Sequence, residues 1–316
     1  MRRPRVVLTF LALLAPFAAA SLAPSCGARS ELYVGAPPEE EEDAGVDAPP
    51  DAPPDVPPDL PPDLPPDSPP DALPPCDPEL LYIYLVTSET DLFRYRPDTG
   101  EFKLVGNLGC TGDASPFSMG VSRTGSGYVL YNDGQLYKVS MADASCEATN
   151  WVSGQLGFNA FGMGYAIDDD MMGETLHVAE ISFDKPSMGL ATIDTNEFTL
   201  DYIGPFSDNP GFAIELTSSD DGNLYGYFLN SDGPGGVVVQ IDKDTAEIVD
   251  SVDLPIGGGG SALAFAYWGG DFYIFTSDGD SITTVTRYTP ADGGVTTVAT
   301  LDRTVVGAGV TTCTIP

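Results

Sequence analysis

An internal repeat of about 48 residues constrains the fold of this chain more than any other feature of its sequence. Five times, an apolar run, a polar turn, a second run, a turn rich in Asp, Thr, Gly and Asn, and a third run follow one another. Aligning the second turn at Gly100, Ser145, Asn196, Ala246 and Gly293 gives spacings of 45, 51, 50 and 47 residues. Three or four short strands per unit predict the blades of a β-propeller, because such units bury their apolar faces only against neighbouring copies.

In four of the repeats, one run alternates small with large apolar residues. We predict that this run forms the innermost strand of its blade. These runs are Phe117–Val121, Phe161–Tyr165, Phe212–Leu216 and Leu263–Tyr267. Because space around a central axis is narrow, we expect the small residues to face the axis and the large ones to pack between blades.

The two ends of the repeat region complete one blade between them. The first blade begins with the strand 81–86 and has no inner strand before it, whereas 305–310 is an inner strand with no blade after it. Pairing the two removes both exposed edges. The sequence therefore predicts an all-β fold, a five-bladed β-propeller over residues 76–316 that is closed by the C-terminal strand.

This closure also predicts a disulfide. If the last strand runs antiparallel to the first, Cys313 comes close to Cys76, and a bond there would close the ring covalently. Cys110 and Cys146 would then pair by elimination. Regular blades would place these two cysteines toward opposite faces, so their bond requires an irregular connection.

Residues 1–25 are typical of an export signal. Arg2, Arg3 and Arg5 precede the apolar run 6–14, and small residues follow. The apolar run is shorter than a membrane-spanning helix requires, so we interpret it as a cleaved signal and not as an anchor.

Cys26 is the candidate site of lipidation. Five cysteines in an exported chain leave one unpaired, and lipidation of Cys26 would leave an even number. Loss of Cys26 with the signal would satisfy the same parity. The segment 22–26 resembles the lipobox of bacterial lipoproteins, but Ala23 stands where that motif has Leu.

Residues 26–75 are predicted to be a disordered, acidic, Pro-rich tether. An acidic run, 39–43, leads into an x-Pro-Pro-Asp repeat. Its aspartates are Asp51, Asp55, Asp59, Asp63, Asp67 and Asp71. Paired prolines favour extended polyproline II, and like charges at fixed spacing extend the segment further. We interpret it as a spacer; a Pro-rich ligand for a partner domain is the alternative.

Charge and composition exclude several functions. The formal net charge is −34 with a single histidine, His177, so attraction to nucleic acid or to an anionic membrane face is not expected. Membrane contact is expected through the N-terminal lipid alone. His-rich zinc sites and nucleophile–His pairs are also excluded. We interpret His177 as a packed residue of a strand.

Glu215 is the candidate catalytic residue. It occupies a position that is Gly or Ala in the other inner strands, so its carboxyl would point at the axis and have a raised pKa. A glycoside hydrolase needs two carboxylates, and a loop residue such as Asp113 or Asp208 would have to supply the second. A structural Glu held by hydrogen bonds is the alternative interpretation.

Acidic turns raise the question of Ca²⁺. The candidate ligands are Asp168, Asp170, Asp220, Asp278 and Asp280. Hard cations prefer oxygen ligands, but no EF-hand loop is present, and tight turns favour the same residue types. No other cofactor is expected.

Four aromatic residues in or just after inner strands are candidates for stacking on sugars or peptide side chains at one face. They are Tyr165, Phe212, Tyr267 and Trp268. Core packing is the alternative for each of them.

The whole chain resembles exported bacterial lipoproteins in which a Pro/Asp stalk precedes a propeller of the quinoprotein-like, NHL-like or WD40-like type. The WD40 Trp-Asp dipeptide is absent, and the resemblance implies no reaction. We predict a monomeric, non-catalytic binding or display module at the cell envelope, secreted or lipid-anchored, whose partner is a protein or glycan. A carbohydrate-active hydrolase and a purely structural surface protein are the alternatives.

Overall fold

The computed structural model describes residues 73, 75–110, 112–182, 185–208, 211–230, 234–256, 262–279 and 281–313. The chain divides into two units, Met1–Pro62 and Asp63–Pro316, and all described residues lie in the second. The predicted signal, Cys26 and nearly all of the predicted tether lie outside the described residues, as does Asp280. In the part of the chain that is described, no helix is long and apolar enough to cross a membrane.

Short β-strands make up nearly all of the regular structure of the described residues. Two single-turn 3₁₀ helices, Pro78–Leu80 and Gln155–Gly157, accompany them. In chain order the strands are β1 (Ile83–Thr87), β2 (Asp91–Arg96), β3 (Glu101–Asn107), β4 (Pro116–Val121), β5 (Ser126–Tyr131), β6 (Leu136–Ser140), β7 (Cys146–Ala148), β8 (Phe161–Ile167), β9 (Glu174–Glu180), β10 (Leu190–Ile193), β11 (Leu200–Gly204), β12 (Phe212–Ser218), β13 (Leu224–Leu229), β14 (Gly236–Ile241), β15 (Ile248–Leu254), β16 (Ala262–Trp268), β17 (Asp271–Ser277), β18 (Thr283–Thr289), β19 (Gly294–Leu301) and β20 (Val305–Gly309).

These strands form five four-stranded antiparallel sheets, here called blades. Blade 1 has the order β20-β1-β2-β3, and blades 2 to 5 are β4–β7, β8–β11, β12–β15 and β16–β19. The inner strands β20, β4, β8, β12 and β16 contact one another in that cyclic order. The fold is a five-bladed β-propeller, as the repeat predicted, and the aligned turns connect the third and fourth strands of the blades.

The C-terminal strand closes the ring as predicted. β20 pairs antiparallel with β1, which brings Gly309 opposite Tyr84 and Gly307 opposite Val86. The Cys76–Cys313 disulfide lies shortly after the end of β20, with 5.7 Å between the two Cα atoms. Closure is therefore both hydrogen-bonded and covalent.

Cys110 and Cys146 also form a disulfide, with 5.1 Å between their Cα atoms. The connection between β3 and β4 makes this possible. Its described residues, 108–110 and 112–115, form no helix or strand, and Cys110 packs against the same apolar cluster as Tyr137 and Val139 of β6. Because β7 has only three residues, the bond that elimination predicted forms at an irregular outer edge.

The hydrophobic core is divided among the interfaces between neighbouring blades. Met163 of blade 3, for example, packs with Tyr128 and Leu130 of blade 2, and Phe265 of blade 5 packs with Tyr227 of blade 4. Each repeat thus buries its apolar face on a neighbour, which explains why the ring must close.

The parallel inner strands give the propeller two distinct ends. The end at which these strands finish carries Val121, Ser218, Trp268 and the Cys76–Cys313 bond. We call this end the N-terminal face, because Cys76, which precedes the first strand, lies there. The opposite face carries the beginnings of the inner strands, such as Phe117 and Val305.

Candidate functional site

The small residues of the inner strands do not face an open axis, so the expectation for them was wrong. They lie against the inner strand of the next blade. A Cβ added to Gly162 would be 1.9 Å from the carbonyl oxygen of Ile214, and one added to Gly164 would be 2.9 Å from the carbonyl carbon of Leu216. The alternation therefore reflects close approach of neighbouring inner strands, because only a small residue allows the backbones to come so near.

Glu215 is the exception to this pattern, and its side chain bridges blades that are not neighbours. It is 3% exposed, and its Oε2 accepts a hydrogen bond of 2.8 Å from the Oγ of Ser118 in blade 2. Blade 3 lies between blades 2 and 4 in the ring, so this bond crosses the axis. Burial raises the pKa of Glu215 well above its usual value, and the Ser118 hydrogen bond opposes that rise.

Further side chains make contacts toward the two ends of the inner strands. Toward the opposite face, Phe117 packs against the clusters on both sides of blade 3. At the N-terminal face, the Arg123 guanidinium donates to the Thr312 carbonyl at 2.9 Å, and the Thr312 hydroxyl donates to Glu174 at 2.8 Å. The cavity beside Trp268 and Cys313 has a volume of about 10 Å³, near the least that holds one water molecule.

The carboxylates proposed for hydrolysis are not brought together by hydrogen bonding. Asp113 and Asp208 are exposed on the connections that lead into blades 2 and 4. Among the described residues, neither makes a hydrogen bond to Glu215. The arrangement around Glu215 matches the structural interpretation of this residue, and its catalytic role stays a prediction.

The acidic turn of blade 3 is occupied by the protein's own groups. Asp168 accepts a hydrogen bond of 2.7 Å from the Thr175 hydroxyl, and Asp170 accepts one of 2.9 Å from the amide of Met172. The ammonium of Lys243 lies 2.6 Å from Asp169. This turn therefore carries its own counter-charge, as the tight-turn interpretation requires.

No group of three or more His, Cys, Asp and Glu side chains within the described ranges is arranged to hold a metal ion. Asp278 is exposed beside a groove at the opposite face, and calcium binding stays a prediction. His177 is buried, with its Nδ1 3.1 Å from the Thr175 carbonyl. Burial lowers the pKa of His177 to about 4, which keeps the ring neutral at pH 7.

Two residues that the sequence suggested separately line one groove. Asp220 and Tyr267 meet in a depression of about 570 Å³ between blades 4 and 5, which we call the blade 4–5 groove. Its further lining includes Asp221, Tyr225, Gln240, Asp250, Val252, Gly270, Phe272 and Tyr288. This volume lies within the range of small-molecule sites.

Glu215 is not among the residues that line this groove. The amide of Tyr267 in β16 donates to the Thr217 hydroxyl of β12 at 3.0 Å, so this side of β12 faces blade 5. Because side chains alternate along a strand, Glu215 leaves β12 from the same side as Thr217. A long side chain thus stands where blades 1 to 3 have Gly, and it extends across the axis to Ser118.

Four aromatic rings form the floor and walls of the groove. Phe272 lies at their centre: Tyr225 and Tyr267 meet it edge-on at centroid distances of 4.9 and 5.2 Å. The ring of Tyr288 is nearly parallel to that of Phe272, and their centroids are 6.1 Å apart. Such interlocked rings hold one another in fixed orientations, so the groove is shaped before any ligand arrives.

Carboxylates make this aromatic groove electronegative. Burial raises the pKa of Tyr267 to about 12, and the nearby charges of Asp220 and Asp221 add to that rise. Burial likewise raises the pKa of Tyr225, with further contributions from Asp221 and Asp250. Both phenols are therefore neutral at physiological pH.

The other aromatic candidates lie elsewhere. Tyr165 is buried between blades 2 and 3, near Tyr128. Trp268 is half-buried, and its Nε1 donates to the carbonyl of Leu81 at 3.4 Å. Phe212 packs at the edge of the core between blades 4 and 5.

Sequence reasoning missed Tyr225, Tyr288 and Asp250. Tyr225 and Asp250 belong to blade 4, and Tyr288 is near the end of the third strand of blade 5. A signal was present in the repeat itself, since Tyr225 and Phe272 occupy the second residue of the second strand in adjacent blades. Only the orientation of the two blades reveals that these rings meet.

This chain matches no protein-family model and no curated protein. Among solved structures, the Dos1 propeller is similar at 12% identity and a TM-score of 0.40, over 65% of this chain and 52% of the other. Hydrazine synthase from Kuenenia stuttgartiensis is similar at 16% identity and a TM-score of 0.38, over 70% and 66%. An exo-β-1,3-galactanase from Phanerochaete chrysosporium, with galactose, is similar at 11% identity and a TM-score of 0.44, over 67% and 53%.

The chain therefore spans about half the length of the Dos1 propeller and of the galactanase. Similarities of this size carry no argument about activity, because many unrelated functions use the same fold. The function of this chain has to be argued from its own groove.

Proposed function

We propose that this chain is an exported, lipid-anchored propeller that acts as a monomeric, non-catalytic binding module, with its ligand in the blade 4–5 groove. One observation carries the proposal: about 570 Å³ of preformed aromatic groove lies open between blades 4 and 5, whereas Glu215 is buried and bonded to Ser118. A groove that exposes tyrosines and carboxylates is suited to a polar ligand at the cell surface, either a protein or a glycan.

The burial and the hydrogen bond of Glu215 argue against a catalytic role for this residue. A general acid or nucleophile has to come within hydrogen-bonding distance of its substrate. Glu215 is 3% exposed and bonded to Ser118, so it is placed to hold blades 2 and 4 together. The groove has carboxylates of its own, but they lie on turns and an outer strand, where ligand binding is the simpler use.

Two features support export: the N-terminal segment and the disulfides. Arg2, Arg3 and Arg5 with the following apolar run form the proposed signal, and two disulfides are compatible with an oxidising compartment. Anchoring would occur through Cys26, and the acidic Pro-rich segment would act as the spacer before the propeller. Mass spectrometry of the mature protein tests this, since an acylated Cys26 supports anchoring and an unmodified N-terminus elsewhere contradicts it.

The binding proposal is tested by thermal unfolding of the mature chain against soluble cell-surface glycans and peptides. A ligand present at 100 times its Kd should add about 2.7 kcal/mol to the free energy of unfolding. Tyr267→Ala should abolish the shift. Tyr202→Ala, at an exposed tyrosine of blade 3, is the matched control and should keep it.

Two outcomes would contradict the proposal. A shift that survives Tyr267→Ala would place the ligand outside the groove. Turnover of a glycan that is lost in Glu215→Gln would establish the hydrolase alternative. If no member of the panel shifts the transition, the proposed function fails for those ligand classes and the purely structural alternative is favoured.

A further inference from the structure

We infer that the blade 4–5 groove binds an organic cation, an ammonium or guanidinium group that rests against its tyrosines. This inference rests on the proposed function and specifies the chemical class of the ligand. Three features of the protein support this inference: the aromatic rings, the charges around them, and the contrast with a second groove.

The aromatic rings supply the first part of the argument. Tyr225, Tyr267 and Tyr288 surround Phe272, and all four rings line the cavity. Aromatic faces carry partial negative charge and attract a cation within about 6 Å of the ring centre. An alkylated ammonium loses little free energy when it leaves water for a cavity on which several rings converge.

The charges supply the second part. Asp220, Asp221 and Asp250 line the same cavity as the rings, and no Lys, Arg or His stands among its described lining residues. The three aspartates make the lining of this cavity acidic. A cation would be attracted to it, and the net charge of −34 would increase its local concentration at low ionic strength.

The groove between blades 3 and 4 provides an internal comparison. It has a similar volume, about 610 Å³, and it is lined by four aspartates, Asp168, Asp169, Asp170 and Asp244. There the chain supplies its own cation, because the Lys243 ammonium lies 2.6 Å from Asp169. That groove has no Phe, Tyr or Trp in its described lining. Of the two, only the blade 4–5 groove combines Tyr and Phe rings with aspartates and has no Lys, Arg or His in its described lining.

The test is calorimetric titration of the mature, full-length protein with choline and with its neutral isostere, 3,3-dimethyl-1-butanol. We expect choline to bind at least about 10-fold more tightly than the alcohol, because the two differ only in charge. A second pair of probes, Nα-acetyl-lysine amide and the same compound acetylated on Nε, distinguishes a peptide-borne cation from a free one. Tighter binding of the charged lysine derivative than of choline would identify a peptide source.

Two double variants with the same change in net charge localise the site. Asp220→Asn with Asp250→Asn should weaken choline binding by about 10-fold or more. Asp169→Asn with Asp170→Asn removes equal charge from the other groove and should change the affinity by less than about twofold. Tyr267→Phe keeps the aromatic face and should keep binding, whereas Tyr267→Ala should abolish it.

Several results would overturn the inference. Equal affinity for choline and the alcohol, equal losses in the two double variants, or no choline binding at 10 mM would each do so. If instead a glycan binds in a Tyr267-dependent way while the cations do not, the cation inference fails and the proposed binding function stands. If neither class binds, both fail.

Discussion

Removal of the Cys76–Cys313 disulfide should reduce stability more than removal of Cys110–Cys146. The first bond joins residues 237 apart in sequence, and the second joins residues 36 apart. The chain entropy that a cross-link removes from the unfolded state grows with the logarithm of loop length. The expected contributions are about 5.5 and about 3.8 kcal/mol, with a difference of about 1.7 kcal/mol in favour of the longer loop.

The assay is equilibrium urea unfolding of the mature chain and of two double variants, Cys76→Ala with Cys313→Ala and Cys110→Ala with Cys146→Ala. Both variants should remain folded. β20 still pairs with β1 through Tyr84 and its neighbours when the first bond is absent. For a domain of this size, the difference corresponds to about 3–7 °C in Tm.

A reversed order would refute the reasoning. If the Cys110–Cys146 variant were the less stable of the two, or if loss of Cys76–Cys313 left the urea midpoint unchanged, the long-range bond would not constrain the unfolded chain. Reduction of the wild-type protein serves as the control, because it should lower stability without deleting a side chain.

Three further predictions concern the inner strands. Burial raises the pKa of Glu215, so the stability of the wild type should fall as pH rises from the ordinary pKa of glutamate toward the pKa of Glu215 in the folded protein. Glu215→Gln should remove that fall in Tm scans from pH 4 to 9. Parallel curves for the two proteins would contradict the raised pKa of Glu215. Ser118→Ala removes the hydrogen-bond donor of Glu215 and should cost about 1–3 kcal/mol in urea unfolding; an unchanged urea midpoint would argue against the bridge. Gly162→Ala places a Cβ 1.9 Å from a carbonyl oxygen and should cost about 1–3 kcal/mol or more, whereas Gly109→Ala, with open space around it, should be near neutral.

The fold was predictable because its signals repeat along the chain. The aligned turns gave the period, and the unpaired strands at the two ends gave both the closure and the Cys76–Cys313 bond. These inferences need only local patterns and the rule that sheet edges are paired.

The site was less predictable, because its contacts join residues that are distant in sequence. Glu215 and Ser118 are 97 residues apart, and nothing in either inner strand indicates the other. The alternation of small and large residues was recognised, but the direction of its small face depends on how blades pack and not on the pattern alone. Asp220 and Tyr267 were both candidates, yet only the packing of blade 4 on blade 5 places them in one groove.

The most direct test of the account is a crystal structure of the mature protein grown with choline. The account predicts electron density for the ligand in the blade 4–5 groove, in contact with Tyr225, Tyr267 and Tyr288, while Glu215 remains bonded to Ser118. Ligand density at the axis beside a displaced Glu215, or an empty groove with choline bound elsewhere, would contradict it.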